Sequence, residues 1–228
     1  MPYYFANLLL LTIPKQMIHI KYLIMKIIGI GKNYVSDKTE INALKTGFQT
    51  IFLKADTTLV TDNKNVVFPA ITKELIYEVE LVVKIGKQGK NIALKDADTY
   101  ISEIGVGIDF TAKDVLTASK NDKGPWALAK GFDGASPVSS FKSVSNFPEL
   151  NNINFDLLIN GEQKQVGNTS FMIYNFSEII AFVSSYMTLM PGDLIFTGTP
   201  AVGAGATFKG DRLQASIEGN LLLDFKMI

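Results

Sequence analysis

The chain has 228 residues, a formal net charge of zero, 47% hydrophobic residues and no cysteine. That is enough apolar material for one sizeable core, and the balanced charge, with no basic run interleaved with aromatics, gives no electrostatic case for nucleic acid or an anionic membrane surface. The absence of cysteine excludes a disulfide framework and thiolate metal sites, and the single histidine, His19, excludes every multi-histidine zinc motif, so any metal must be held by oxygen ligands.

Residues 1–24 begin M-P-Y-Y-F-A-N-L-L-L-L-T-I-P and carry no charge before Lys15. The apolar run is too short, and too interrupted by Pro14, to span a bilayer. It lacks the early positive charge and small-residue cleavage site of a signal peptide. The expectation is an N-terminal extension that is not part of the fold, with one domain over 25–228; a degenerate membrane anchor is the alternative. From Met25 the chain reads as short strands at 26–30, 50–54, 76–85, 153–160, 193–197, 213–218 and 221–227. Turn signals separate them, among them Asn160-Gly161, Pro191-Gly192-Asp193 and Glu218-Gly219-Asn220. The Asn-Gly and Gly-Asn pairs point to antiparallel hairpins. Helices are fewer. Residues 96–104 place Ala97, Tyr100, Ile101 and Ile104 on one face before Gly105, and 111–119 is a shorter candidate. The strongest is 176–187, with an apolar stripe of Ile179, Ile180, Phe182, Val183 and Tyr186, Asn175 as cap and Glu178 three residues on. The class is α+β, predominantly β.

Four segments carry candidate chemistry. In E-L-I-Y-E-V-E-L-V-V-K-I-G-K (74–87), Glu78 and Glu80 stand two apart and share one face of a strand. Two neighbouring carboxylates raise each other's pKa, and a divalent cation relieves that conflict; the plainer reading is a wetted sheet edge. In G-V-G-I-D-F-T-A-K-D (105–114), Asp109 is either a helix cap or, if Thr111 caps instead, a free carboxylate. In W-A-L-A-K-G-F-D (126–133), Lys130 is a lone cation among apolar neighbours, or a snorkelling surface lysine. P-G-D-L-I-F-T-G-T-P (191–200) is an ordinary turn and strand, or a backbone-and-hydroxyl cradle for a carboxylate. Neither G-I-G-K-N-Y nor G-A-G-A-T-F-K-G completes a dinucleotide or phosphate-loop fingerprint.

The order of these segments is more telling than any one of them. G-K-N-Y, Y-E-V-E-L-V-V-K-I-G-K, G-I-D-F-T-A-K-D, W-A-L-A-K-G-F-D, N-G-E-Q-K-Q and P-G-D-L-I-F-T-G-T-P follow one another from Met25 to the C-terminus. This series resembles the fumarylacetoacetate hydrolase family, including its acylpyruvate hydrolase and 2-hydroxyhepta-2,4-diene-1,7-dioate isomerase members. The resemblance implies a rolled mixed β-sheet with a few short helices, a cytoplasmic homodimer, and a small 2-oxo acid as substrate. It implies Mg²⁺ or Mn²⁺, in some members Ca²⁺, held by Glu78, Glu80 and Asp109. Such a metal acts as a Lewis acid on the substrate's keto oxygen as an enolate forms. By the same resemblance Lys130 binds substrate oxygens, and Thr199 and Gln165 bind the substrate carboxylate.

One position departs from the family pattern. Hydrolytic members follow Asn-Tyr with a His-x-x-Glu dyad that activates water; here the stretch is N-Y-V-S-D-K-T-E, with Asp37 at the histidine position and Glu40 keeping the glutamate. A carboxylate with a reference pKa of about 4 is a weaker base near neutrality than histidine. Three readings follow. Asp37 and Glu40 activate water together; or the site does enolate chemistry without such a base, as in isomerisation or oxaloacetate-type decarboxylation; or the chain is a silent metal and dicarboxylate binder.

Overall fold

A computed structural model describes residues 25–228; the 1–24 extension, with His19, lies outside the described residues. Its strands are β1 (Ile27–Gly31), β2 (Thr50–Lys54), β3 (Leu59–Val60), β4 (Leu75–Tyr77), β5 (Val79–Ile85), β6 (Ile101–Ile108), β7 (Thr111–Ala112), β8 (Ser136–Pro137), β9 (Lys142–Ser143), β10 (Asn154–Ile159), β11 (Glu162–Asn168), β12 (Leu194–Phe196), β13 (Gly205–Ala206), β14 (Arg212–Ile217) and β15 (Asn220–Lys226). The α-helices are α1 (Ile41–Leu44), α2 (Lys113–Asn121), α3 (Ala127–Lys130) and α4 (Phe176–Tyr186). The class is the expected α+β with strands dominant.

The main sheet has six strands in the order β2-β1-β12-β5-β6-β9, and a second sheet runs β11-β10-β14-β15. Both second-sheet hairpins turn where the Gly-containing pairs predicted. Asn160 and Gly161 take φ of 53° and 82°, and Glu218 and Gly219 take 48° and 71°, the left-handed pair that matches strand twist in a two-residue hairpin. Alternation then divides the residues. Val79, Leu81, Val83 and Ile85 of β5 enter one apolar cluster together with Phe155, Leu157, Leu213, Ala215, Leu223 and Phe225 from the second sheet. The opposite face of the main sheet holds a small cluster of Ile27, Val82, Val138, Leu194 and Phe196. Glu80 shares parity with Val82, so it projects on this second face.

Three elements differ from the sequence expectation. The strand expected over 76–85 breaks at Glu78: β4 belongs to a three-stranded sheet with β13 and β7, and β5 to the main sheet. Residues 96–104 are not one helix. A 3-10 helix covers Leu94–Tyr100, and Ile101 begins β6, which pairs along the whole of β5. The spacing of Ala97, Tyr100 and Ile101 matches a helical face, but the β-branched series Ile101, Ile104, Val106 and Ile108 gains a full ladder against the central strand, and that pairing prevails. The helix expected at 111–119 starts at Lys113 because Thr111 and Ala112 pair with β4. Helix α4 keeps the expected start, with a complete capping box between Asn175 and Glu178.

Gly29 shows how the fold serves the second face. It pairs with Phe52 across β1 and β2, and a Cβ at Gly29 would overlap the Phe52 ring. The ring therefore lies flat across the strand. Gly29→Ala is expected to destabilise the protein by about 1–3 kcal/mol through overpacking, read as a lower midpoint in urea unfolding; an unchanged midpoint would show that Phe52 moves aside freely.

Candidate active site

Glu78 occupies the break between β4 and β5, and two bonds hold the break open. The Asp109 amide donates to the Glu78 carbonyl at 2.8 Å, and the Val79 amide donates to Gln165 Oε1 at 2.9 Å. Two candidate acids from distant parts of the chain thus meet through their backbones. Lys130 ends α3 and is 5% exposed. Its Nζ donates to Glu78 Oε2 at 2.6 Å and to Asp109 Oδ2, and lies 5.0 Å from the centre of the Phe52 ring. Thr111 donates its hydroxyl to the same Glu78 oxygen at 2.8 Å. Asp109 is therefore no helix cap, α2 has no side-chain cap, and Lys130 is not a surface lysine.

Glu80 is 3% exposed. Its one hydrogen bond is accepted by Oε2 from the Gly198 amide at 2.7 Å. Gly198 has φ of 103°, and a Cβ there would meet the Asn33 side chain at 2.8 Å, so only glycine brings this amide in. Asn33 pins the surrounding loop: its Nδ2 donates to the Thr197 carbonyl at 2.8 Å and the Tyr174 carbonyl at 3.0 Å, and its Oδ1 accepts from the Tyr174 amide. The next hydroxyl, Thr199 Oγ1, accepts from Gln165 Nε2 at 3.0 Å.

Glu78, Glu80, Asp109, Lys130 and Thr199 all line one pocket of about 180 Å³. That is below the few hundred Å³ of a drug-sized site and suits a small acid. Its apolar wall includes Phe52 and Trp126, whose rings lie 5.8 Å apart, and Lys32, Lys113 and Lys120 also contribute to the lining. Gln165 does not line the pocket; it braces Thr199 against the start of β5. Asp37 and Glu40 are exposed and outside the lining. Asp37 caps a 3-10 turn by accepting from the Thr39 amide at 2.9 Å, and that bond lowers its pKa, the opposite of what a general base near neutrality needs.

The reading from sequence missed Lys54. Its side chain is fully buried; its Nζ pairs with Asp109 Oδ1 and donates to the Ala135 carbonyl at 2.7 Å. Nothing in I-F-L-K-A-D separates such a lysine from one at an exposed strand end. Asn33 was also missed, although it stands within the quoted G-K-N-Y.

The ion pairs do not cover all three acids. Lys130 pairs with both Glu78 and Asp109, and Lys54 pairs with Asp109, whereas Glu80 makes no ion pair. Burial raises the Asp109 pKa, but Lys130 and Lys54 outweigh it and the net shift is down. Burial likewise lowers the Lys130 pKa, and Asp109 and Glu78 more than reverse it. Glu80 takes the remainder: burial first, then Asp109 and Glu78, push its carboxyl well above the ordinary range. Among the described residues no three acids are gathered in a preformed metal cluster, and Lys130 bonds both Glu78 and Asp109. The donor set nonetheless fits a hard divalent cation: all oxygen, with one carboxylate that has a single backbone donor and no ion pair.

The chain matches the family model for the fumarylacetoacetate (FAA) hydrolase C-terminal domain over residues 26–224. It belongs to that family. The mitochondrial oxaloacetate tautomerase FAHD1 of Bos taurus is 37% identical to it over 201 residues, covering 88% of this chain and 90% of the relative. Among solved structures, fumarylpyruvate hydrolase of Pseudomonas aeruginosa in complex with Mn²⁺ and pyruvate superposes with a TM-score of 0.80 at 27% identity, covering 90% of this chain and 91% of that one. The 2-hydroxyhepta-2,4-diene-1,7-dioate isomerase of Mycobacterium marinum gives 0.77 at 32%, covering 90% and 75%. The family's members are hydrolases and isomerases, and this chain is an enzyme of that kind. No helix of the described residues is long and apolar enough to cross a membrane.

The raised Glu80 pKa sets a pH dependence. Between its unfolded and its higher folded value, the folded state holds more protons, so stability falls as pH rises through that window. With a chelator present, Glu80→Gln should flatten this slope and melt higher than wild type in mildly alkaline buffer. Equal slopes would show that Glu80 ionises without cost.

Proposed function

We propose that this chain is a divalent-metal-dependent enzyme acting on small 2-oxo dicarboxylic acids, and that it interconverts their keto and enol forms. One observation carries the reading: Glu80, buried in the pocket wall beside Glu78 and Asp109, has a single backbone donor and no counter-ion of its own. Glu78, Glu80 and Asp109 would hold Mg²⁺ or Mn²⁺. When bound, such a cation supplies Lewis-acid stabilisation of a developing oxyanion. The Mn²⁺ and pyruvate of the Pseudomonas aeruginosa structure support both the metal and the substrate type.

The chain's own residues supply the rest. Lys130 remains an ammonium in the pocket wall, so it donates hydrogen bonds to a substrate oxygen as negative charge grows there. Thr199, braced by Gln165, orients a carboxylate. Phe52 and Trp126 exclude water from that side. Lys32, Lys113 and Lys120 give the pocket positive charge for a second carboxylate. Tautomer exchange is preferred to water-dependent C–C cleavage because Asp37 and Glu40 face solvent and do not line the pocket, and it agrees with the name of the Bos taurus relative.

The test follows the enol absorbance of oxaloacetate with Mg²⁺ or Mn²⁺. Exchange should exceed the free-metal background and vanish in Glu80→Ala. Oxalate plus metal should raise the melting temperature where neither alone does; saturation at 100 times Kd adds about 2.7 kcal/mol. No metal-dependent exchange with oxaloacetate, and no shift with oxalate, would overturn the reading.

A further inference from the structure

Lys54 is a fully buried lysine that the proposed chemistry does not use. It lies outside the pocket lining, so it cannot touch a substrate held there. Its side-chain contacts are few and definite: Asp109 Oδ1, the Ala135 carbonyl at 2.7 Å, and the Phe196 ring with its centre 5.7 Å away. The backbone of Asp109 is fixed independently, through its amide bond to the Glu78 carbonyl. What remains free in Asp109 is rotation of its carboxylate, and the Lys54 ammonium, tethered to Ala135, fastens one of its two oxygens.

We infer that Lys54 is a positioning residue: by fastening Asp109 Oδ1 it turns Oδ2 toward the pocket and holds it there as a metal ligand. The inference rests on the metal site proposed above. The two lysines on Asp109 therefore differ. Lys130 touches Oδ2 and Glu78 and lines the pocket; Lys54 meets Asp109 only at Oδ1 and is not part of the lining. Partners that orient a ligand in this way are commonly worth about ten- to a hundredfold in metal affinity.

A simple charge argument gives the opposite sign. Lys54 is a cation near a cation site, and if its role were only to balance Asp109, removing it would tighten metal binding. The sign of the change thus separates orientation from charge balance.

The measurement is Mn²⁺ affinity by titration calorimetry and by the electron paramagnetic resonance of free Mn²⁺, with urea unfolding under chelator alongside. Lys54→Met should weaken Mn²⁺ binding by about tenfold or more, and the same change in an Asp109→Asn background should have little further effect, because the two residues act as one unit. Lys54→Gln, which keeps an N–H donor for Asp109, should retain part of the affinity and serves as the second variant if Lys54→Met does not fold. Unchanged or tighter Mn²⁺ binding in the folded Lys54 variants, with only stability altered, would overturn the inference and leave the metal site standing. Wild-type protein that binds no Mn²⁺ would overturn the metal site and this inference together.

Discussion

Asp109 is an almost fully buried carboxylate at the wall of the pocket, and the site is arranged around holding it. A buried carboxylate is tolerated only when paired and hydrogen-bonded, and here two ammonium groups come from separate elements to do so, Lys54 from the edge strand β2 and Lys130 from the short helix α3. Those two lysines tie the edge strand β2 and the helix α3 to Asp109 on the second face of the main sheet. Phe52 and Trp126 come with them and form the apolar side of the pocket. Gly29 belongs to the same arrangement, since β2 delivers Lys54 and lays Phe52 across β1 together.

Such a network is a poor way to make a stable protein. Removing charges from water costs several kcal/mol per ion, and well-packed apolar residues often do as well or better. A design for stability alone would also balance its charges, whereas Glu80 is left with one backbone amide and a strongly raised pKa. Clusters in which burial and specific neighbours shift several pKa values at once are characteristic of chemically active sites. The unpaired carboxylate, the small pocket and its lysine-lined wall are the features on which the proposed cation and small-acid site rests.

Much of this was legible in the sequence, for reasons of period. Two-residue alternation placed Val79 and Leu81 on the face opposite Glu80, and the division of the apolar clusters agrees; Glu78 lies in the break before β5 and meets Glu80 in the pocket lining instead. The Asn160-Gly161 turn and the Asn175–Glu178 capping box are local signals, and both appear where expected. What escaped depended on distant partners. The segment after Leu94 has a helical face by spacing, yet becomes strand from Ile101 because β5 lies beside it. Lys54 resembles any lysine at a strand end until the fold encloses it with Asp109. Asn33 reads as a turn residue, although its role is to clamp the Thr197–Gly198 loop so that one amide meets Glu80.

The contrast between Asp37 and Glu80 bears on the choice of reaction. Both are acids in segments tied to one family resemblance, yet their surroundings push them in opposite directions. Asp37 is spent on its own backbone turn, exposed and with a lowered pKa, so it neither reaches the pocket nor favours taking a proton. Glu80 is enclosed and deprived of counter-charge. A hydrolase needs a base that orders and deprotonates water beside the substrate, and Asp37, at the position where the family resemblance expects that base, does not line the pocket. Tautomer exchange moves a proton between carbon and the keto oxygen and needs no ordered water nucleophile; charge on the enolate oxygen would be met by Lys130 and by the cation that the three carboxylates would hold. That contrast is why we place keto–enol exchange ahead of cleavage in the function we propose.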